Sequence, residues 1–100
     1  MDPAIPNIYV SDVVVSTAGR DQGSLYYVIS TDEMFLMLVN GKDRTLDKPK
    51  RKKLRHVQKV LRSDTRVAAK LISGDKVLNS ELRRDLAYFA REMQANNLGG

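Results

Sequence analysis

The chain contains no cysteine, which excludes disulfides, thiolate zinc sites and cysteine nucleophiles. Its longest uninterrupted aliphatic or aromatic run, residues 34–39, is far too short to span a bilayer. Residues 1–6 carry no positive charge and no apolar segment, so we do not expect a signal peptide. These absences predict a cytoplasmic protein without a membrane partner.

Residues suited to catalysis are also scarce. His56 is the only histidine, and no acid lies near it at the spacing of metal ligands, so no metal site is predicted. Asp32 and Glu33 are adjacent in a predicted turn and would not face each other as an acid–base pair. No Ser-His-Asp ordering with supporting context is present, and no phosphate-binding glycine loop opens a helix. We therefore expect no catalytic residues, no cofactor and no small-molecule substrate.

The charge of the chain is concentrated in one place. A hydrophobic content of 42% and a charged content of 29% are typical of one compact domain of 100 residues. The net charge of +5 divides into −4 for residues 1–47, +8 for residues 48–62 and +1 for residues 63–100. A cationic segment of this kind produces a local field that attracts phosphates, so we expect an anionic partner.

The first sixty residues predict short β-strands, because β-branched and aromatic residues are bounded by turn residues. Asn40 and Gly41 predict a two-residue type I′ hairpin, a turn in which both positions have positive φ. The returning strand after this hairpin would stop before Pro49. The predicted strands are residues 13–15, 25–29, 35–39, 44–46 and 54–61.

From Ser63 onward the hydrophobic period becomes helical. A first short helix is predicted to be capped by Ser63 or Asp64 and to end at Gly74. Its predicted buried side comprises Val67, Leu71 and Ile72.

A second helix is predicted to be capped by Asn79 or Ser80 and to fray into a flexible tail at residues 97–100. Its predicted buried stripe comprises Leu82, Leu86, Phe89, Ala90 and Met93. Its opposite side comprises Arg84, Ala87, Tyr88 and Arg91. Arg84, Tyr88 and Arg91 form either an anion-binding strip or, as we favour, an ordinary exposed face. Strands followed by helices predict a small barrel or rolled sheet with a helical appendix.

The most distinctive segment runs from Val13 to Val28. Two predicted strands flank a loop in which Gly19 and Gly23 lie four residues apart, so the backbone there turns sharply or is closely approached. Arg20 is the only cation among the first 41 residues. Without further context, the glycines shape a strand-to-strand turn and Arg20 pairs with an aspartate, either Asp21 or Asp12.

This segment resembles a KOW motif, in which a glycine, here Gly23, lies in a loop between two hydrophobic strands. More closely, the chain resembles the short stand-alone KOW-domain RNA-binding proteins of bacteria, which are similar to ribosomal KOW proteins of the large subunit. The pieces that carry the resemblance follow one another in order and are residues 16–23, 32–33, 40–42 and 47–56.

The resemblance implies a mainly β fold with α-helices, in which a small five-stranded SH3-like barrel is followed by two short helices. The expected divisions are an extension at residues 1–7, the barrel at 8–61, and a helical hairpin at 62–96 on or beside it. The implied partner is structured RNA, ribosomal or otherwise translation-related, and possible association with the ribosome follows. Loops at one end of the barrel form the binding surface in this family.

Carried onto this chain, the resemblance and the basic run together give one set of candidate RNA-binding residues. Cations of the run would contact phosphates, while Arg20 with Lys42 or Arg44 would fix the orientation of the RNA. The RNA-binding candidates are Arg20, Asp21, Lys42, Arg44, Lys48, Lys50, Arg51, Lys52, Lys53, Arg55 and His56. The candidate loop-shaping residues are Gly19, Gly23, Asn40 and Gly41.

The basic run has other interpretations. It places six positive charges in residues 48–55, and counterion release on phosphate binding favours a nucleic acid as the partner. A solvated face, a nuclear-localisation-like signal and attachment to an anionic membrane surface are the alternatives. RNA is favoured over DNA because no helix is rich in residues that read a major groove.

Single residues near the run also have two interpretations. His56 either contacts a phosphate or lies on the strand surface. Tyr26, Tyr27 and Tyr88 either stack on bases or belong to the core and surface of the domain. Tyr26 and Tyr27 alternate along one strand, so at most one of them is exposed. The alternative function is an adaptor that docks on proteins of the translation or transcription machinery and uses the helices as its docking surface.

Overall fold

The computed structural model of the chain describes residues 7–99, with side chains through residue 95. It contains one antiparallel sheet of five strands and two helices. The strands are β1 (Asp12–Ser16), β2 (Leu25–Thr31), β3 (Phe35–Val39), β4 (Lys50–Lys53) and β5 (Val57–Arg62). The helices are α1 (Arg66–Ser73) and α2 (Asn79–Gly99), and a 3₁₀ turn (Leu54–His56) joins β4 to β5. A small, mainly β domain with C-terminal helices is therefore confirmed.

The sheet has the order β4-β3-β2-β1-β5. Each of the first four strands pairs with its neighbour along the chain, and β5 returns to pair with β1. In the described part of the chain β4 and β5 are therefore the two edges of an open sheet. The register shifts between Val28 and Ser30 and again between Val13 and Val14. Such bulges increase the local twist, so the sheet curls.

Both faces of the central strands are buried, which is why β1, β2 and β3 are almost continuously apolar. Successive residues such as Val13 and Val14 point to opposite faces and enter different cores. The first core lies under the helices and comprises Val13, Tyr27, Val39, Val67, Val77, Leu82, Leu86 and Phe89. The second core lies on the other face and comprises Ile8, Val14, Tyr26, Val28, Leu36 and Leu38.

A polar network fixes the helices on the sheet. The phenol of Tyr27 donates to the Asp85 carboxylate on α2 at 2.7 Å and lies 2.9 Å from the Ser63 hydroxyl. Thr65 donates to the same carboxylate at 2.6 Å. Burial and the hydrogen bond to Asp85 raise the pKa of Tyr27 to about 12. The phenol therefore stays protonated at neutral pH and holds β2, α1 and α2 together.

The fourth strand and the preceding turn were predicted wrongly. Strand β4 is Lys50–Lys53, whereas the predicted strand at 44–46 lies within a long β3–β4 loop, residues 40–49. Gly41 has a φ of 76°, but Asn40 does not have positive φ, so they do not form a type I′ hairpin. The Asn40 side chain instead accepts hydrogen bonds from the backbone N–H groups of Lys42 and Arg44. This local hydrogen bonding stabilises an open loop rather than a tight turn.

The start of the fifth strand also differs from the prediction. Residues 54–56 form the 3₁₀ turn, and β5 begins only at Val57. The turn is needed because the chain leaves the edge strand β4 and must cross to β1 to pair with Ser16. The basic run therefore begins in the β3–β4 loop at Lys48 and continues through strand β4 and the 3₁₀ turn.

Helix α1 begins one residue later than predicted. Its N-cap is Thr65, whose hydroxyl accepts from the backbone N–H of Ala68, because Ser63 instead binds Tyr27. Gly74 ends the helix in the left-handed conformation, as predicted. The predicted burial of Ile72 is wrong, since 63% of this residue is exposed.

Helix α2 is longer than predicted and does not use Asn79 or Ser80 as its cap. The backbone N–H of Leu78 donates to the Glu81 carboxylate, and the Asn79 side chain accepts from Leu46 in the β3–β4 loop. The helix continues through Gly99, so the predicted tail is helical up to Gly100, which lies outside the described residues.

Most of the predicted stripe of α2 is correct. Leu82, Leu86 and Phe89 are buried and Met93 is half-buried, but Ala90 is exposed. Of the predicted extension at residues 1–7, only Asn7 is described, and its carbonyl accepts from Lys59.

Candidate functional site

Two loops leave the sheet at the same end. The β1–β2 loop, residues 17–24, joins strands whose register pairs Val15 with Leu25. The β3–β4 loop lies beside it, because Tyr27 pairs with Val39 and β4 begins opposite Leu38. Residues predicted to bind RNA from two separate regions are therefore brought to one end of the domain.

An open depression of about 390 Å³ lies between these loops. Its lining comprises Arg20, Asp21, Ser24, Tyr26, Asp43, Arg44 and Lys50. Four of these residues were predicted from the sequence: Arg20, Asp21, Arg44 and Lys50. Ser24 and Asp43 were not predicted, although the position of Asp43 beside Arg44 was a usable signal, and Tyr26 was considered only for stacking on a base.

The β1–β2 loop is compact because its glycines have positive φ. Gly19 has a φ of 87° and Gly23 a φ of 91°. The N–H of Gly23 donates to the carbonyl of Ser16 at 2.8 Å, and the N–H of Ser24 donates to the carbonyl of Asp21 at 2.9 Å. Both glycines thus shape the turn that carries Arg20 and Asp21.

Asp21 lies at the centre of the polar contacts in this loop. One carboxylate oxygen accepts from Lys52 at 2.7 Å and from Ser16 at 2.8 Å. The other accepts from Tyr26 at 2.9 Å and lies 3.2 Å from the Lys50 ammonium. Burial opposes the charged form, but these partners outweigh it and hold the pKa of Asp21 well below its usual range. The carboxylate is therefore ionised and occupied inside the protein, where it joins the loop to β4.

The sequence-based pairing of Arg20 with Asp21 or Asp12 is wrong. Asp21 pairs with the two lysines of β4, and Asp12 pairs with Lys59 at 3.0 Å. Among residues 7–95, no carboxylate lies within 4 Å of the guanidinium of Arg20 or Arg44. Arg20 is exposed and Arg44 half-buried at the depression. Both guanidinium groups are accordingly available to an anionic ligand.

Strand β4 divides the basic run between two faces. Lys50 and Lys52 pair with Leu38 and Leu36, whose side chains enter the second core. Lys52 is only 8% exposed and donates both to Asp21 and to the carbonyl of Ala18. Lys50 is half-buried and faces the depression. The charge of Lys52 is therefore balanced within the protein, unlike that of a lysine free to bind a phosphate.

The remaining cations of the run, and Lys42 in the preceding loop, are exposed. Arg51 and Lys53 are exposed on the opposite face of the sheet, beside Met37 and Phe35. Arg55 is exposed in the 3₁₀ turn, and Lys42 and Lys48 are exposed in the β3–β4 loop. Charged side chains on an edge strand also discourage pairing with another sheet, which is a structural reason for part of this charge.

His56 is half-buried at the end of the 3₁₀ turn. Its carbonyl accepts from the backbone N–H of Thr17 at 2.9 Å, which fastens the turn to the β1–β2 loop. Tyr26 and Tyr27 are both buried, so neither presents a ring face to a base. Tyr88 is half exposed on α2, where its ring packs edge-on against Phe89 at 5.7 Å between centroids.

The β3–β4 loop is held by the start of α2. Arg83 donates to the carbonyl of Gly41 at 2.6 Å, and the N–H of Leu46 donates to Asn79 at 3.2 Å. Gly41 is buried with positive φ, and a Cβ there would collide with the carbonyl of Asn79. Helix α2 therefore positions Arg44, a contribution that the spacing of residues along the chain does not reveal.

Other kinds of site are not seen in the described part of the chain. Residues 7–95 contain no cluster of three or more histidine or acidic side chains that could hold a metal ion. Neither described helix is long and apolar enough to cross a membrane. Comparison with models of known protein families yields no match, and comparison with curated proteins yields no significant relative.

Proposed function

We propose that the protein is a non-catalytic RNA-binding protein whose depression between the β1–β2 and β3–β4 loops contacts the RNA backbone. The observation that carries the proposal is the convergence of Arg20, Arg44 and Lys50 on this depression from three separate segments. Lys50 is paired with Asp21, but Arg20 and Arg44 have no carboxylate of the described residues within 4 Å, so a phosphate that binds them would supply the missing counter-charge.

The composition of the depression favours RNA as the anion. Arg20 and Arg44 can each hold a phosphate through two parallel hydrogen bonds. The Asp43 carboxylate beside them repels phosphate but accepts hydrogen bonds from hydroxyl and amino groups. An RNA backbone offers a phosphate to the two arginines and a ribose 2′-hydroxyl to the Asp43 carboxylate. This hydroxyl distinguishes RNA from DNA.

The proposal includes the finer fold assignment, a KOW-type SH3-like barrel. Support comes from five sequential antiparallel strands, of which the last pairs with the first and only the β4–β5 edges are unpaired. Positive φ at Gly19 and Gly23 also agrees with the glycine-containing loop of the KOW resemblance. Structured RNA of the translation machinery, including ribosomal RNA, is the class of ligand that this assignment suggests.

Removal of the two free arginines provides the direct test. In the double variant Arg20→Gln/Arg44→Gln, affinity for a structured RNA is expected to fall roughly tenfold to a hundredfold. The slope of log K against log salt should become shallower by about 1.5, because two phosphate contacts are lost. Both quantities can be measured by titration of labelled ribosomal RNA fragments at several salt concentrations.

The matched control is Arg62→Gln/Arg66→Gln, which removes the same charge from exposed positions outside the depression. This control is expected to bind nearly as tightly as the unchanged protein. Equal losses in the two double variants would show a general charge effect and would refute the depression as the site. Lys52 is unsuitable for this test, because its removal would leave Asp21 without its closest partner.

The alternative function is a protein-interaction adaptor, and the exposed apolar residues Ile72 on α1 and Leu78 immediately before α2 favour it. Co-purification before and after ribonuclease treatment separates the two functions. Partners lost on digestion would support attachment through RNA, whereas partners retained at full yield would support the adaptor.

A further inference from the structure

Part of the sheet surface is covered by neither the helices nor the second core. Phe35 and Met37 lie on the face of β3 opposite Leu36 and Leu38, and both are half-buried. Neither belongs to the two hydrophobic cores or to the residues packed against them. An apolar area therefore remains at the β3–β4 edge, on the face opposite the side chain of Lys50.

Arg51 covers this area in a specific way. The central carbon of its guanidinium lies 3.7 Å from the centroid of the Phe35 ring, so the planar cation lies over the aromatic face. Arg51 is nevertheless an exposed residue, so a ligand can reach it while it lies over the ring. The contact with the ring restricts the rotamers of a long side chain before any ligand binds.

We propose that the guanidinium of Arg51, backed by Phe35, is a stacking site for an unpaired RNA base. This inference rests on the proposed RNA binding and adds a second contact region with a different ligand preference. Arginine planes stack on exposed bases much as aromatic rings do, and a lysine ammonium in the same place cannot. A paired base inside a duplex cannot reach the site, so the ligand is a single-stranded loop, bulge or end.

The cations around Arg51 suit this ligand. Lys53 is exposed on the same face, directly across from Phe35, and Arg55 is exposed in the following turn. Phosphates that flank a stacked base would meet these side chains. Arg51 thus contributes mainly through its plane, whereas Lys53 and Arg55 contribute through their charge.

The conservative substitution Arg51→Lys separates stacking from charge. Its affinity for an RNA hairpin with an unpaired loop is expected to fall about tenfold, while the salt dependence of binding stays unchanged. Affinity for a fully paired duplex should change less than twofold. Phe35→Leu should give a similar loss, because the guanidinium loses the ring that orients it. The same Arg-to-Lys change at exposed Arg62 is the control and should alter neither affinity.

A fluorescent base analogue that is quenched by stacking supplies a direct readout when it is placed in the loop of the hairpin. Quenching by the unchanged protein and its loss in Arg51→Lys would support the inference. If Arg51→Lys binds the hairpin as tightly as the unchanged protein does, the stacking site is overturned and the proposed function still stands. If the unchanged protein binds neither RNA at moderate salt, the proposed function and this inference both fail. Thermal melting of each variant verifies that it is folded.

Discussion

Replacement of Gly41 by alanine is expected to lower the free energy of unfolding by about 3 kcal/mol. For a domain of this size, such a loss lowers the melting temperature by more than roughly 10 °C. Two physical effects add at this position. The φ of 76° disfavours any residue with a Cβ, and the new Cβ would meet the carbonyl of Asn79 and the side chain of Leu82.

The collision at Gly41 cannot be relieved cheaply. The carbonyl of Asn79 belongs to the first turn of α2, and Leu82 is fully buried in the first core. A shift of the loop away from the helix would also stretch the hydrogen bond that Arg83 donates to Gly41. We therefore expect Gly41→Ala to loosen Arg44 as well, and to weaken RNA binding in the molecules that remain folded.

Gly23→Ala provides the matched comparison for this effect. Gly23 also has positive φ, at 91°, but a Cβ there would meet no atom within 4 Å. Its substitution should therefore cost about 1 kcal/mol, the strain of the backbone alone. Urea unfolding of both variants measures the difference. Equal losses would contradict the close contact between the β3–β4 loop and α2.

This contrast shows why the fold was only partly predictable. Strands β1, β2 and β3 and both helices follow from local patterns, since each has a clear hydrophobic period or a β-branched or aromatic run. The contact of Gly41 with Asn79 depends on two distant segments meeting, and no local pattern contains that information. The type I′ hairpin predicted at Asn40-Gly41 is replaced by an open loop, which the hydrogen bonds of the Asn40 side chain stabilise locally and the contacts of Gly41 with α2 stabilise from a distance.

Strand β4 was missed for a different reason. Consecutive lysines and arginines have low strand propensity, so the segment looked like a loop. Pairing with β3 on one side and the ion pairs of Lys50 and Lys52 with Asp21 overcome this preference. Once a strand is assumed, the alternation of its side chains already predicts that only every second cation faces the depression.

The sequence predicted several residues that line the depression, but it did not predict the contacts that these residues make. Arg20, Arg44 and Lys50 line the same depression, and their binding of RNA stays a prediction. The resemblance also assigned Asp21 to the ligand, whereas the structure shows a carboxylate already occupied by four side chains. The hydrogen-bond and ion-pair partners of a side chain depend on the tertiary structure. The sequence therefore placed Asp21 in the loop but could not show that its carboxylate binds groups inside the protein.

The role of Asp21 leads to the other large effect that we expect. Asp21→Asn should lower the free energy of unfolding by about 3 kcal/mol at neutral pH, because it leaves the Lys52 ammonium buried without a counter-ion. Loss of the more exposed partner, in Lys50→Met, should cost less than about 1 kcal/mol. In the double variant Asp21→Asn/Lys52→Met no unpaired charge remains, so part of the loss should be recovered.

The pH dependence of this loss identifies its origin. The pKa of Asp21 is lowered in the folded protein from an ordinary value of 3.8, so its ionisation stabilises the fold above that value. The contribution is lost as the pH falls from about 5 through 3.8 toward the lower pKa of the folded state. Urea unfolding at a series of pH values should show the gap between Asp21→Asn and the unchanged protein closing over this range.

Closure of the gap is expected because a protonated aspartic acid and an asparagine leave Lys52 equally without a counter-ion. Asp32, Asp43, Asp47 and Glu81 also have lowered pKa values, but both proteins contain them, so their contributions cancel in the difference. A gap that stays constant down to the most acidic pH at which the protein folds would refute the ion pair as its source. The loss would then arise from the hydrogen bonds of Ser16 and Tyr26, which do not need the charge of Asp21.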